Sequence, residues 1–503
     1  MPNPSQMQDR YGLPLTTSST VAAERFIEGL DLLLEQNFGP EEQFTQAIEA
    51  DPGFALAYSA LAYMLHLRAQ VPEARERAQQ AQSLAPGLSR REQQQIEAIA
   101  LFINGQGPRS YALIREHLDD YPRDILMIRV AQRLFSLGCS GAGVASFPAP
   151  LLAMMQGVAS AYGDDWAFLG SYAFAHHETG HVEEARRLAE RSLALRPANA
   201  VAAHSVAHVF FETGDAASGA DFLHTWLKGF DPRAPYHVHL SWHQALFELA
   251  RGRYQRALAL YEADIRPAVV ANSAPALNDS AALLWRVYMY SGATPPFPSE
   301  EVRDLAAPAA SRPGPAFRDS HAALAFAVAG DEVYMGHMID RLQGLADTGD
   351  VLAREVTLPL TQGIDAFAHG AYSEAVKYME PLFTEPRMDQ LARIGGSHAQ
   401  REVFEDTMLE AYLRAEQFDK AEAMLRTRLQ RRDSARDLFW LGRAQAQRGQ
   451  SEDARASLHA VSQRWQDADP ASPERTALAR LAAQARLKRT TRGQGSEGRI
   501  AGC

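Results

Sequence analysis

The sequence predicts an all-α fold: an α-solenoid of tetratricopeptide-like helix-turn-helix repeats. Three observations carry this. Nearly every segment places apolar residues at helical spacing, and alternating strand patterns are scarce. The helices come in pairs joined by Gly, Asp or Pro. Prolines recur at a near-constant interval: Pro52 to Pro86 is 34 residues, Pro86 to Pro122 is 36, and Pro197, Pro232 and Pro267 follow at 35 and 35. A period of about 34 residues is that of the tetratricopeptide unit.

Taken in order, residues 1–20 read as an N-terminal extended segment and 21–485 as the solenoid. Residues 41–86, EEQFTQAIEADPGFALAYSALAYMLHLRAQVPEARERAQQAQSLAP, show one phase of the repeat. A turn at Asp51–Pro52 ends one helix. Ala57, Tyr58, Leu61 and Ala62 then share a face, and Ala74, Ala78 and Ala81 form the apolar stripe of the next helix. Each repeating proline is expected just after a second helix, where a missing N–H and a fixed φ stop continuation. Gly180, Gly214 and Gly252 mark turns inside hairpins, and FAHGAYSEAVKYMEP, YLRAEQFDKAEAML and AQRGQSEDARASL give later units. One hairpin cannot bury both faces, so neighbours must stack, giving roughly ten or more hairpins over this length. Gly138–Pro150 and the proline-rich Thr294–Pro315 interrupt the pattern and read as connectors. Residues 486–503 are polar, basic and Gly-containing, and read as a disordered tail.

The chain has 503 residues, 46% apolar and 22% charged, with a net charge of −11. That balance gives no bulk attraction to nucleic acid or to an anionic membrane. No run approaches the roughly 18 apolar residues that span a bilayer. The first residues, MPNPSQMQDRYGLPL, lack the charged and apolar regions of a signal peptide. Two cysteines, Cys139 and Cys503, make neither a disulfide framework nor a Cys-based zinc site. A cytoplasmic location is expected.

The polar residues with most to say lie in AHSVAHVFFETG and HVHLSWHQALFELARG. His204 and His208 are four apart, as are His239 and His243, and the two pairs are 35 residues apart. Residues four apart lie on one helix face, so each pair can ligate one ion. Imidazoles from neighbouring first helices can converge on a shared centre. Zinc suits such a set, and iron or manganese suits it with added carboxylates. Asp279 follows one repeat later, in LNDSAALLWRVYM. Asp319 and His321, in FRDSHAALAFAVAGD, are two apart and cannot share a face well. The plain alternative is that these histidines fill semi-polar core positions. His176 and His177 read as helix-end or surface residues, with Glu178 the more interesting neighbour. Trp242 and Trp285 fit a groove wall or a core. No H-E-x-x-H is present, because Ser205, Val206 and Ala207 follow His204, and this removes the metalloprotease reading. No G-x-S-x-G elbow or phosphate loop is present either.

Six motifs, DRYGLPLTTSS, HSVAHVFFETG, HLSWHQALFELARG, LNDSAALLWRVYMYSG, FRDSHAALAFAVAGD and IGGSHAQREVFEDTMLEAYLRA, extend from about Asp9 to about Ala415. In this order they resemble the tetratricopeptide repeat protein 38 family. The resemblance implies an α-solenoid in the cytosol. It carries the family's histidine and acidic positions onto His204, His208, His239, His243, Asp279, Asp319 and His321, and its Gly-Gly-Ser-His-Ala-Gln-Arg segment onto Gly395–Arg401. It supplies no reaction and no ligand.

Two functional readings follow. In the first, the solenoid is a scaffold that grips a protein or peptide partner in its concave groove. In the second, the groove holds an enzymatic or small-molecule site built from the seven His and Asp residues. There a divalent metal on His204, His208, His239 and His243, or a histidine base oriented by an aspartate, would serve hydrolysis. The repeat fold points to the first reading.

Overall fold

In the computed structural model, which describes residues 7–312, 314–383 and 390–480, the predicted hairpins follow one another along the chain. The first are α1 (Thr20–Glu35) with α2 (Pro40–Ala50), α3 (Ala55–Leu67) with α4 (Val71–Leu84), and α5 (Arg90–Ile103) with α6 (Gly107–Asp120). Next come α7 (Ile125–Ser136) with α8 (Pro148–Val158), α9 (Trp166–Glu178) with α10 (Val182–Leu195), and α11 (Ala200–Thr213) with α12 (Ala216–Trp226). The middle continues with α13 (Pro235–Ala250), α14 (Tyr254–Leu260), α15 (Arg266–Val270), and α16 (Ala276–Ser291) with α17 (Ser299–Ser311). The last are α18 (Ala316–Ala329) with α19 (Glu332–Asp347), α20 (Leu358–Ala368) with α21 (Tyr372–Met379), α22 (His398–Arg414) with α23 (Phe418–Arg431), and α24 (Ala435–Gln447) with α25 (Ser451–Arg464). The fold is an all-α solenoid of tetratricopeptide-like repeats. The tail expected at 486–503 lies outside the described residues.

Local sequence explains the boundaries. Ser89 caps α5 and Ser397 caps α22, each in a reciprocal capping box, with Glu92 and Gln400 at the third helical position. Gly395–Arg401 is therefore a helix start. The Asp165 carboxylate caps α9 and also receives Arg10, whose guanidinium bonds Asp31 at 2.7 Å. The non-helical segment before α1 is thereby pinned to the fifth hairpin.

Two expectations are corrected. Thr294–Pro315 is not a plain connector: α17 occupies Ser299–Ser311. Val302, Leu305, Ala306, Ala309 and Ala310 form a buried stripe there, and Pro308 sits in the last turn, where it fails to end the helix. Pro267 likewise does not stop a helix. A π-turn over Tyr261–Ile265 carries α14 into α15, with Pro267 in the first turn of α15, where its missing N–H matters least.

The core has two large clusters, one from Tyr11 to Ala175 and one from Trp242 to Ala468, with a smaller one around α11 and α13 between them. The superhelix turns tightly enough for its late hairpins to cover the inner face of the middle ones. The Trp285 indole donates to Thr407 at 2.9 Å, Tyr290 to Asp406 at 2.6 Å, and Trp465 to the Ala250 carbonyl at 2.8 Å. Asp469 N–H reaches the Gly252 carbonyl at 3.1 Å. The concave groove expected along the first helices is thus filled by α22 and the hairpin after it, and a cleft remains between them and α11–α16. Trp242 and Trp285 are both fully buried, in the core.

Candidate metal centre and the adjoining cleft

The repeat brings the two histidine pairs together. His204 and His208 on α11 face His239 and His243 on α13. The His204 ring lies 4.4 Å from His208, 4.8 Å from His239 and 5.0 Å from His243, centre to centre. His243 lies 4.7 Å from His208 and 4.8 Å from His239. His204 Nε2 is 3.0 Å from His208 Nε2 and also 3.0 Å from His239 Nε2. On the far side of His239, Nδ1 meets Asp279 Oδ2 at 2.9 Å. Asp279 sits in the first turn of α16, one repeat on, as its spacing predicts.

The cluster is dry. His204, His208 and His243 are 4%, 0% and 1% exposed. Burial, and the nearby rings of one another, hold all three well below the usual imidazole range. They are neutral rings with lone pairs to place.

His177 and Glu178 are where sequence reasoning missed. Both His176 and His177 are buried, at 8% and 3% exposed, not surface residues. His177 stacks on His208 at 4.3 Å, and Glu178 lies 3.5 Å from His177 and 4.0 Å from His208. Burial lifts the Glu178 carboxyl to about 7, and Arg401 opposes the rise. The available signal was positional, since the 176–178 segment ends the first helix of the hairpin just before α11.

Asp319 and His321 do not join the cluster. Asp319 is held by Arg318 at 2.8 Å and Arg341 at 3.0 Å. His321 Nδ1 donates to the Phe317 carbonyl at 2.8 Å, and the ring packs on Phe317 and Phe404. The physical reason is the one visible in the spacing: two residues turn a helix by more than half a revolution, so the two side chains diverge. Burial holds His321 at about 4, and its bond to the Phe317 carbonyl opposes that. Below the usual value of 6.5 the unfolded chain takes up a proton that the folded chain refuses. Its contribution is therefore intact above pH 6.5 and is lost as pH falls toward 4. Urea unfolding is expected to show that His321→Leu removes roughly 2–3 kcal/mol of the stability difference between about pH 7 and about pH 4.5. An unchanged pH dependence would contradict the assignment.

The second feature is the remaining cleft, of about 310 Å³. Phe210, Phe211 and Phe247 form one wall, and Arg286, Tyr290, Arg428, Arg432, Glu402, Asp406 and Asp437 line the other side. Arg428 bonds Glu402 at 3.0 Å, Asp406 at 2.9 Å and Asp437 at 3.0 Å. Arg432 bonds Glu402 and lies 4.1 Å over the Phe211 ring. Two buried atoms in this lining, Arg432 Nη1 and Asp437 Oδ1, have no hydrogen-bond partner among the described residues. The sequence carried a signal for this wall, unread: Glu402, Asp406 and Glu410 repeat every four residues along α22.

No family model matches the chain. Among solved structures, yeast Tom70 is similar over 93% of this chain and 96% of its own, at 12% identity and a TM-score of 0.33. The human IFIT1 dimer with m7Gppp-AAAA is similar over 89% of this chain and 91% of its own, at 15% identity and a TM-score of 0.35. Among the described residues, no helix is long and apolar enough to cross a membrane.

Proposed function

We propose that the protein is a helical-repeat binding scaffold, an α-solenoid resembling the tetratricopeptide repeat protein 38 family, that takes a protein or peptide segment into the cleft between α11–α16 and α22–α24. The single observation behind this reading is the cleft lining. An aromatic wall faces a wall of paired arginines and carboxylates, which leaves one donor and one acceptor unpaired. A lining that is aromatic on one side and charged on the other suits a ligand carrying both apolar side chains and hydrogen-bonding groups. A peptide carries both, and a volume of about 310 Å³ accommodates one or two of its side chains against the phenylalanines. A net charge of −11 suits a peptide partner better than nucleic acid, and the cytoplasm remains the expected location.

The hydrolytic alternative would place its chemistry on the histidine cluster. His204, His208 and His243 are at most 4% exposed, and the Phe174 and Tyr236 rings pack beside His204, which leaves a substrate little access to them. The cleft has about 310 Å³ of free volume.

The test is a partner screen with the full chain and peptide arrays. Partners that bind the wild type are expected to be lost when Ala216→Trp fills the cleft mouth. They are expected to be retained by Val333→Thr, on the exposed face of α19. Partners that survive Ala216→Trp unchanged would sink the reading.

A further inference from the structure

We propose that His204, His208 and His243 ligate a divalent transition-metal ion of the zinc class, with His239 as the adjoining imidazole that Asp279 orients toward them. The inference is independent of the cleft. It starts from proton counting. Each imidazole nitrogen offers either one N–H or one lone pair. His204 Nε2 lies 3.0 Å from two other Nε2 atoms at once. If it is an N–H, it can serve one neighbour, and the other faces a proton or is left bare. If it is a lone pair, it can accept from one neighbour, and the other contact sets lone pair against lone pair.

Asp279 narrows the choice. Its carboxylate takes the proton of His239 Nδ1, so a neutral His239 presents a lone pair at Nε2. His204 must then donate to His239, which leaves His208 Nε2 facing the same N–H with nothing to receive. Protonating His239 reverses the first bond without mending the second. His243 lies outside every such scheme: both of its ring nitrogens are buried and have no partner among the described residues, as is His208 Nδ1. A buried polar group without a partner costs roughly 1–3 kcal/mol, and this cluster concentrates several. No assignment of protons satisfies the contacts. A cation held by His204, His208 and His243 takes up lone pairs that otherwise have no donor, and leaves His239 to its bond with Asp279.

The metrics agree. One ligand nitrogen from each of His204, His208 and His243 lies within 4.8 Å of the other two. Imidazole nitrogens bind zinc at about 2.0–2.1 Å, so small ring rotations bring the three into a shared first coordination sphere. Asp279 fixes the tautomer and orientation of His239, the imidazole that adjoins this set. The donor set chooses the ion. Neutral imidazoles favour zinc and its late first-row neighbours, whereas manganese and magnesium want oxygen, and the Asp279 carboxylate beside the cluster is committed to His239. A second group, His177, Glu178 and His208, also meets the spacing for an ion. It shares His208, and its carboxylate already accepts the His398 N–H at 3.4 Å, so the three-imidazole set is the better site.

The experiment uses the full chain, stripped with a chelator and then dialysed against zinc. Mass-spectrometric metal analysis is expected to find one zinc per chain. Cobalt in its place should give the visible bands of a site with three imidazole nitrogens and an open fourth position. His243→Gln, close in size to the native ring, should abolish stoichiometric zinc. Asp279→Asn, which acts only through the adjoining His239, should weaken zinc binding less than His243→Gln does. Glu178→Gln should retain it. Because a cluster variant may misfold, zinc titration of the stripped wild type provides a second readout, and its melting temperature is expected to rise with zinc and not with magnesium. A stripped wild type that takes up no zinc and shows no such rise would overturn the proposal. So would stoichiometric zinc in His243→Gln, or its loss in Glu178→Gln.

Discussion

Replacing Arg428 by Met is expected to lower the stability of the protein by about 3–5 kcal/mol, the range for stripping the partner from a buried charge. Arg428 lies on α23 with its side chain 7% exposed, and its three guanidinium nitrogens reach Asp437 on α24 and Asp406 and Glu402 on α22. All three carboxylates are buried. Burial pushes Glu402 upward, but Arg432 and Arg428 overcome this and hold it well below the usual carboxylate range. With Met at 428, Glu402 keeps Arg432 and Asp406 keeps the Tyr290 hydroxyl. Asp437 loses the guanidinium that bonds one of its oxygens, and the other already has no hydrogen-bond partner among the described residues, so both are left bare. The penalty is the desolvation of uncompensated charge and not the value of the ion pairs, so it should shrink when a charge is removed with its partner. The double variant Arg428→Met, Asp437→Asn is expected to recover part of the loss in urea unfolding. An Arg428→Met protein within about 0.5 kcal/mol of wild type, the scatter of a neutral surface change, would contradict this account.

The repeat was legible because it is a local property written many times. Ala57, Leu61, Ala74 and Ala78 announce one hairpin, and the same small-and-large pattern returns at each period. The histidine cluster was legible for the same reason: His204 and His239 occupy equal phases of successive repeats, and Asp279 the next. What one phase cannot show is closure. That α22 covers the face of α11–α16 depends on how the small rotation between hairpins accumulates, and no single repeat encodes it. The groove was therefore read from the first helices alone, and the wall formed by Glu402, Asp406 and Arg428 went unread. Thr294–Pro315 misled because proline was weighed above periodicity, yet Val302, Leu305, Ala306 and Ala309 already carried the helix. His177 misled for a different reason. Adjacent histidines cannot share a face, but the last turn of α9 is buried on more than one side, so both rings go inside.

Closure itself can be tested at the seam where residues 136–138 meet 395–396. The Gly396 N–H donates to the Ser136 carbonyl at 2.9 Å, and Gly138 and Gly395 pack backbone to backbone. Gly395 has φ of 91°, in the left-handed region, and a Cβ there would overlap the Ser136 carbonyl and lie 2.9 Å from Gly138 N. Gly395→Ala therefore meets two penalties. The backbone conformation costs roughly 1–2 kcal/mol for any residue with a Cβ. The overlap is with backbone on a separate part of the chain, which no side-chain rotation can relieve, so the seam must part. Gly449 is the control: φ is 78°, yet a Cβ there meets nothing within 4 Å. Gly449→Ala should lose only the conformational amount, and Gly395→Ala should lose about twice that or more. Hydrogen exchange should separate the two further, with Gly395→Ala speeding exchange at the start of α22 and at the end of α7 together, while Gly449→Ala acts only between α24 and α25. Equal losses for the two variants, with exchange at 136–138 unchanged, would mean that the seam yields freely and that contacts such as Trp285–Thr407 and Tyr290–Asp406 hold the late hairpins in place.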